Sequence, residues 1–147
     1  IRLIGWFLFW FVNLLPVCQQ NQEHSPLGFH MPRVLLTGFG PFGSHEINPT
    51  ESIVNTFPTI LPIKNPFGLG SSEVSIEKRI LSVDQLGSIW TAKELELREW
   101  DAILHLGLCG ECTSPRLELL AEDKLDMRIP DNSGRCVTDV VLSGNGD

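Results

Sequence analysis

Basic residues are scarce. Lys and Arg number 11 against 18 Asp and Glu in 147 residues, a formal net charge of −7. The few cations are dispersed, so the electrostatic footprint of a nucleic-acid binder is missing. Cysteine is scarce as well. Cys18, Cys109, Cys112 and Cys136 are too few and too unevenly spaced for a disulfide scaffold, and reduced thiols in a cytoplasmic protein are the simpler expectation. Metal-ligand spacing is also lacking. Cys109-Gly-Glu-Cys112 is half a zinc site at most, and neither His105 nor Cys136 completes it at a recognisable spacing. A redox reading fares no better, because such a pair normally opens a helix, whereas Pro115 and the apolar stretch after it point to a loop leading into a strand. Finally, no apolar run is clean enough for a signal peptide or a membrane span. Ile1 to Val17 is mostly apolar but is broken by Asn13 and Pro16, and Val17-Cys18 is a poor lipoprotein cleavage context. Residues 1–30 are therefore expected to be an atypical apolar leader, read as non-native sequence upstream of a start at Met31 in preference to a real targeting segment, with no membrane association unless that leader is real.

What is present is an ordinary folded composition. The apolar fraction of 42% argues against general disorder, and the length suits one domain. From Met31 the pattern alternates strand and helix. Val34 to Thr37 reads as a buried strand. Asn48-Pro49-Thr50-Glu51 reads as a helix start, with Asn48 as cap, Pro49 at the first position and Glu51 reaching back. That helix is expected to reach Phe57. Pro58 to Ser72 holds three prolines and two glycines and reads as a loop. Glu73 to Leu81 reads as a second strand. Ser82-Val-Asp-Gln85 is a candidate capping box for a helix to about Glu99, with Leu86, Ile89, Trp90 and Leu97 on one side. Ala102 to Gly107 is a continuous apolar run suited to a strand buried on both faces. His105 inside it reads as a satisfied core histidine. The β-α-β-α-β order implies a doubly wound, mostly parallel α/β sheet with right-handed crossovers.

In such sheets ligands sit beyond the carboxyl ends of the strands. Two loops leave from those ends: Gly38-Phe-Gly-Pro-Phe-Gly43 and Leu108 to Pro115. The first satisfies G-x-G-x-x-G, the bare pattern of a dinucleotide cradle. Its chemistry argues otherwise. A cradle needs free backbone N–H groups, and Pro41 has none. Phe39 and Phe42 suit the wall of a small apolar pocket better than a pyrophosphate.

Thr37-Gly-Phe-Gly-Pro-Phe-Gly43 with Asn48-Pro49 resembles the opening motif of the pyroglutamyl peptidase I (pyrrolidone-carboxylate peptidase) family, cysteine peptidases that remove an N-terminal pyroglutamate. A second run, Glu118 to Asn132, resembles that family's glutamate-containing strand and following loop, closely so at Arg128-Ile-Pro-Asp-Asn132. The resemblance spans residues 33 to about 139, the first half of a family domain. It implies a phosphorylase/hydrolase-like α/β fold, incomplete at its C-terminus, with residues 31–147 forming the N-terminal half. It implies that Glu118 orients a histidine that activates a cysteine. It places Phe39, Phe42 and Ile129 around the pyroglutamyl ring, Asn48 at a polar position and Arg128 near an oxyanion. Glu118 alone would read as a solvated strand glutamate, Asn48 as a helix cap, and Arg128 as a salt-bridge partner of Asp126 or Asp131. The resemblance further implies N-terminal pyroglutamyl peptides as substrates, no metal or cofactor, and homo-oligomeric assembly of the complete protein. None of the four cysteines has the family's nucleophile context, so that role is carried to none of them, and Leu108 stands where some members have glutamine.

Overall fold

Val34-Leu35-Leu36-Thr37 sends apolar side chains alternately to both sides of a strand, and the fold follows from that. The structure, a computed structural model, describes residues 11–13, 31–64, 71–109, 112–118 and 123–141. Strand β2 (Arg33–Phe39) lies at the centre of a five-stranded sheet of order β1-β5-β2-β4-β3. It runs parallel to β4 (Ser71–Leu81) on one side and to β5 (Ala102–His105) on the other. The edge strands β1 (Phe11–Asn13) and β3 (Ile60–Lys64) pair antiparallel. A short hairpin, β6 (Lys124–Leu125) with β7 (Val140–Val141), stands outside the sheet.

Each face of β2 has its own core. Leu36, Val54, Val74, Ile76 and Leu106 are buried together on the side of helix α1 (Pro49–Thr56). Leu35, Trp100 and Ile103 cluster on the other, with Trp90 of helix α2 (Gln85–Leu97) packed against them. One helix per face makes the sheet doubly wound, as the element order implies. A fully buried leucine contributes about 1.5–3 kcal/mol, so Leu35 and Leu36 alone fix the strand in the middle layer. Trp100 is further clasped by two guanidinium groups, Arg33 at 4.7 Å and Arg98 at 5.2 Å from its ring centre. Glu77 joins both arginines, at 2.6 Å and 2.9 Å.

Four expectations need correction. The stretch Pro58 to Ser72 is not simply a loop, because β3 lies inside it. Pro62 is tolerated there because β3 is an edge, where one missing donor costs no ladder bond. Helix α2 is capped by Asp84, not through a box at Ser82. Asp84 Oδ1 accepts from Gly87 N at 2.8 Å, and the Ser82 hydroxyl donates to the same oxygen at 2.8 Å. Those donors, Gly87 first, hold the Asp84 carboxyl below its ordinary pKa. Of the expected apolar side of α2 only Trp90 packs inward: Leu86 and Leu97 are 72% and 79% exposed, and Ile89 is exposed too. Gly87 and Glu94 face inward instead. A methyl on Gly87 would lie 1.9 Å from the Ser82 carbonyl oxygen. Close approach of the first turn, not the leucine stripe, therefore seats this helix. Lastly, Cys109 and Cys112 are joined in a disulfide, where reduced thiols were expected. Cys112 N lies 3.4 Å from Cys109 O and their Cα atoms are 5.4 Å apart, within reach of a bridge.

Candidate active site

Helix α1 starts as its sequence dictates and in doing so fixes the glycine-rich loop. Asn48, buried at the cap, accepts from Thr50 N at 3.1 Å. Its amide nitrogen donates to Gly40 O at 3.0 Å. Glu51 does not close this cap. Thr50 does: its hydroxyl accepts from Phe39 N at 2.9 Å and lies within donating distance of Asn48 Oδ1 at 2.8 Å. Glycine is required just beneath, since a methyl on Gly38 would stand 2.7 Å from Thr50 O. Further along, Gly40 N donates to Leu81 O at 3.0 Å, tying the loop to the end of β4. Phe42 and His45 exchange backbone bonds of 3.2 Å and 3.0 Å around Gly43, whose φ of +58° suits glycine.

These bonds leave no room for a phosphate cradle. The amides of Phe39, Gly40 and Phe42 are each taken by a protein oxygen, and Pro41 has none to give. Helix α1 opens with Pro49, and Asn48 occupies the next free donor, Thr50 N. A pyrophosphate would find no row of open N–H groups. Among the described residues no cluster of three or more His, Cys, Asp or Glu is arranged to hold a metal ion.

The second stretch comes to the same rim from far along the chain. Asn132 donates from its side chain to Pro41 O at 3.0 Å and from its backbone to Val83 O at 2.9 Å. A methyl on Gly43 would lie 3.9 Å from Ile129 Cδ1, so the two loops are in contact. Asp131, buried beside them, organises the turn. Its Oδ1 accepts from Ser133 N at 2.9 Å, Ser133 Oγ at 2.7 Å and Arg135 N at 2.9 Å, and its Oδ2 meets Arg135 Nε at 3.3 Å. These bonds, the Ser133 hydroxyl foremost, hold the Asp131 carboxyl below the usual carboxylate range.

The structure thus gathers the Phe39–Phe42 loop, Asn48 and Ile129 at one edge of the sheet. Both phenylalanines and Ile129 are half-buried, and Arg128, next to Ile129, is exposed. Glu118 is half-buried outside the named strands, and the rest of the glutamate-containing strand expected to begin with it falls on residues 119–122, outside the described ones. None of the bonds just enumerated ties it to the loop. Thr50 and Asn132 escaped the sequence reading. Thr50 was hidden by Glu51, the stronger capping-box signal, and Asn132 by the lack of any local partner. His105 lies nearby in β5, sharing a 2.5 Å hydrogen bond between its Nδ1 and Thr37 Oγ1. Burial lowers its pKa from 6.5 to about 4, so it is neutral at pH 7, as a satisfied core histidine should be. A shallow apolar cleft of about 220 Å³, lined by Val34, Leu36, Phe57, Leu61, Val74, Ile76 and Leu104, lies on the sheet face and includes none of the candidate residues.

Fold and rim together define a doubly wound α/β protein whose glycine-rich loop is braced by its own oxygens rather than opened to phosphate. The chain belongs to the pyroglutamyl peptidase family, whose model matches residues 32–147. It is 34% identical over 109 residues to the pyrrolidone-carboxylate peptidase of Pyrococcus furiosus, covering 73% of this chain and 48% of that protein. To the pyrrolidone-carboxylate peptidase of Fusobacterium nucleatum it is 32% identical over 124 residues, covering 80% and 50%. Among solved structures, the pyrrolidone carboxyl peptidase from Thermus thermophilus superposes with a TM-score of 0.61 at 32% identity, covering 78% of this chain and 54% of that one. The Pyrococcus furiosus peptidase gives 0.63 at 32% identity, covering 77% and 50%. The chain spans about half the length of the curated relatives it matches, and its α/β fold is theirs.

Proposed function

We propose that the protein carrying this chain is a cysteine peptidase of pyroglutamyl peptidase I type, removing N-terminal pyroglutamate from peptides in the cytoplasm. One observation carries the reading: the loop of Phe39 and Phe42 and the segment of Ile129, 86 positions apart at Gly43 and Ile129, meet at the rim where an α/β sheet binds ligands. A pyroglutamyl ring is small, flat and largely apolar, and two aromatic side chains with an isoleucine are suitable walls for it. Asn48 supports the ring site through Gly40, its amide being already engaged with the loop and helix. Arg128 offers fixed donors and a permanent charge to an oxyanion. Glu118 orients the histidine that activates the nucleophile, by the logic of any nucleophile–base–orienter set. The chemistry needs neither metal nor cofactor, and the complete protein assembles as a homo-oligomer.

The 147 residues taken alone are a second matter. Cys109 and Cys112 are bonded to each other and offer no thiolate. Cys136 is exposed with its sulfur on Met127 O at 3.4 Å. This favours a chain that keeps part of the ring site without catalysing hydrolysis. Incubation with a pyroglutamyl fluorogenic amide tests both statements. The expected result is no turnover by this chain alone, together with saturable binding of pyroglutamamide seen as shifts of Phe39 and Phe42 ring signals. Turnover abolished by Glu118→Gln would overturn the inactivity of the isolated chain, and absence of saturable binding would overturn the ring site.

A further inference from the structure

We infer that Asn132 is a positioning residue that sets the width of the ring slot, and so decides which size of lactam it accepts. This rests on the ring-site reading above. Pro41 lies within the glycine-rich loop. Lacking an N–H, this residue can be held by its carbonyl alone, and its side chain is exposed. The one partner described for that carbonyl is the Asn132 amide at 3.0 Å, across 91 positions of sequence. Asn132 is itself held from behind: its N–H bonds Val83 O at 2.9 Å. The glycine-rich loop is referenced to almost the same place, through Gly40 N on Leu81 O at 3.0 Å. Both sides of the slot are therefore measured from the short stretch Leu81–Val83, and the Asn132–Pro41 bond is the strut between them. The Asp131 carboxylate, with its ring of donors, and Gly134 at φ +80° form the tight turn from which that strut projects. Ile129 lies two residues before Asp131, with its Cδ1 3.9 Å from where a methyl on Gly43 would stand, so the gap between Ile129 and the loop depends on the strut's length.

A residue that only stabilised the fold would change affinity for every ligand alike. A strut that sets a gap changes the ratio between ligands of different size. The test uses the full 147-residue chain, pyroglutamamide as the five-membered lactam and 6-oxopiperidine-2-carboxamide as its six-membered homologue. Asn132→Asp keeps the shape and removes the donor, and Asn132→Ala removes both. In the ligand-free variants the nuclear Overhauser contact between Gly43 and the Ile129 methyl should weaken, while Thr37, His105 and Thr50 signals stay in place and report an intact sheet. Wild-type chain should prefer the five-membered ring, and Asn132→Asp should reduce that preference about two- to tenfold, the range expected for loss of one solvent-exposed hydrogen bond. An unchanged preference in Asn132→Asp, or an unchanged Gly43–Ile129 contact in both variants, overturns this inference alone. Failure of the wild-type chain to bind either lactam overturns the ring site and the specificity claim with it.

Discussion

Replacing Gly38 by alanine should destabilise the chain by about 1–2 kcal/mol, and the reason is a single backbone oxygen. The added methyl would lie 2.7 Å from Thr50 O, 2.9 Å from Val54 Cγ2 and 3.0 Å from Thr50 C. Two effects oppose each other. Alanine restricts the unfolded chain and on that account stabilises by about 0.4–1 kcal/mol. Overpacking a rigid contact costs about 1–3 kcal/mol. Overpacking wins, because the nearest obstacle is the backbone of α1 and not the flexible end of a side chain. The helix must move away from β2, and the bonds from Thr50 to Phe39 and from Asn48 to Gly40 stretch with it. Urea denaturation gives the free-energy change, and amide exchange at Phe39 reports the loosened cap. A companion variant sharpens the claim. Val54→Ala removes the second obstacle but leaves the first, so Gly38→Ala/Val54→Ala should be no more stable than Gly38→Ala. Full recovery in the double variant, or a neutral Gly38→Ala, would refute the assignment of the clash to Thr50 O.

The remaining expectations concern pH and the cap. His105 has a folded pKa of about 4 against 6.5 for the free side chain, lowered by desolvation. Between those values the unfolded chain holds a proton that the native chain does not. Stability therefore falls as pH drops below about 6.5 and the loss levels off below about 4, amounting to about 2 kcal/mol at pH 5. Titration of the His105 ring carbon by NMR checks this, and a midpoint near 6.5 would contradict it. Thr50→Val keeps the shape of a side chain only 1% exposed but leaves Phe39 N without its acceptor, at a cost of about 1–3 kcal/mol. Circular dichroism should show α1 retained, since Asn48 still accepts from the residue 50 amide, and denaturant melts should show the loss.

The parts of this fold that were legible in the sequence are those set by local chemistry. Val34 to Thr37 announces a strand buried on both faces, and Asn48-Pro49 announces a helix start. The alternation of such signals gave the doubly wound sheet. The misses have one cause in common, which is that tertiary contact overruled a local preference. Pro62 argues against a strand until the strand is known to be an edge. Leu86, Ile89 and Leu97 suggest a buried stripe until Gly87 brings the helix down on its other side. Ser82 looks like a cap until Asp84 takes the position. At the candidate site Phe39 and Phe42 were singled out by motif and loop chemistry together, Asn48 by its helix-cap position, and Ile129 by the resemblance alone. Thr50 and Asn132 were not, because their partners are named only by the folded chain. Pairing of Cys109 with Cys112 depends on a turn that composition does not encode.

The stretch from Leu81 to Val83 is a shared anchor for the two loops. Because the glycine-rich loop and Asn132 both bond to it, a displacement of that stretch would carry them in step. Their separation is then insulated from motions that displace either one relative to the rest of the molecule. The gap between the two loops would then be steadier than its location, a form of rigidity that atomic displacement measured one residue at a time would overlook.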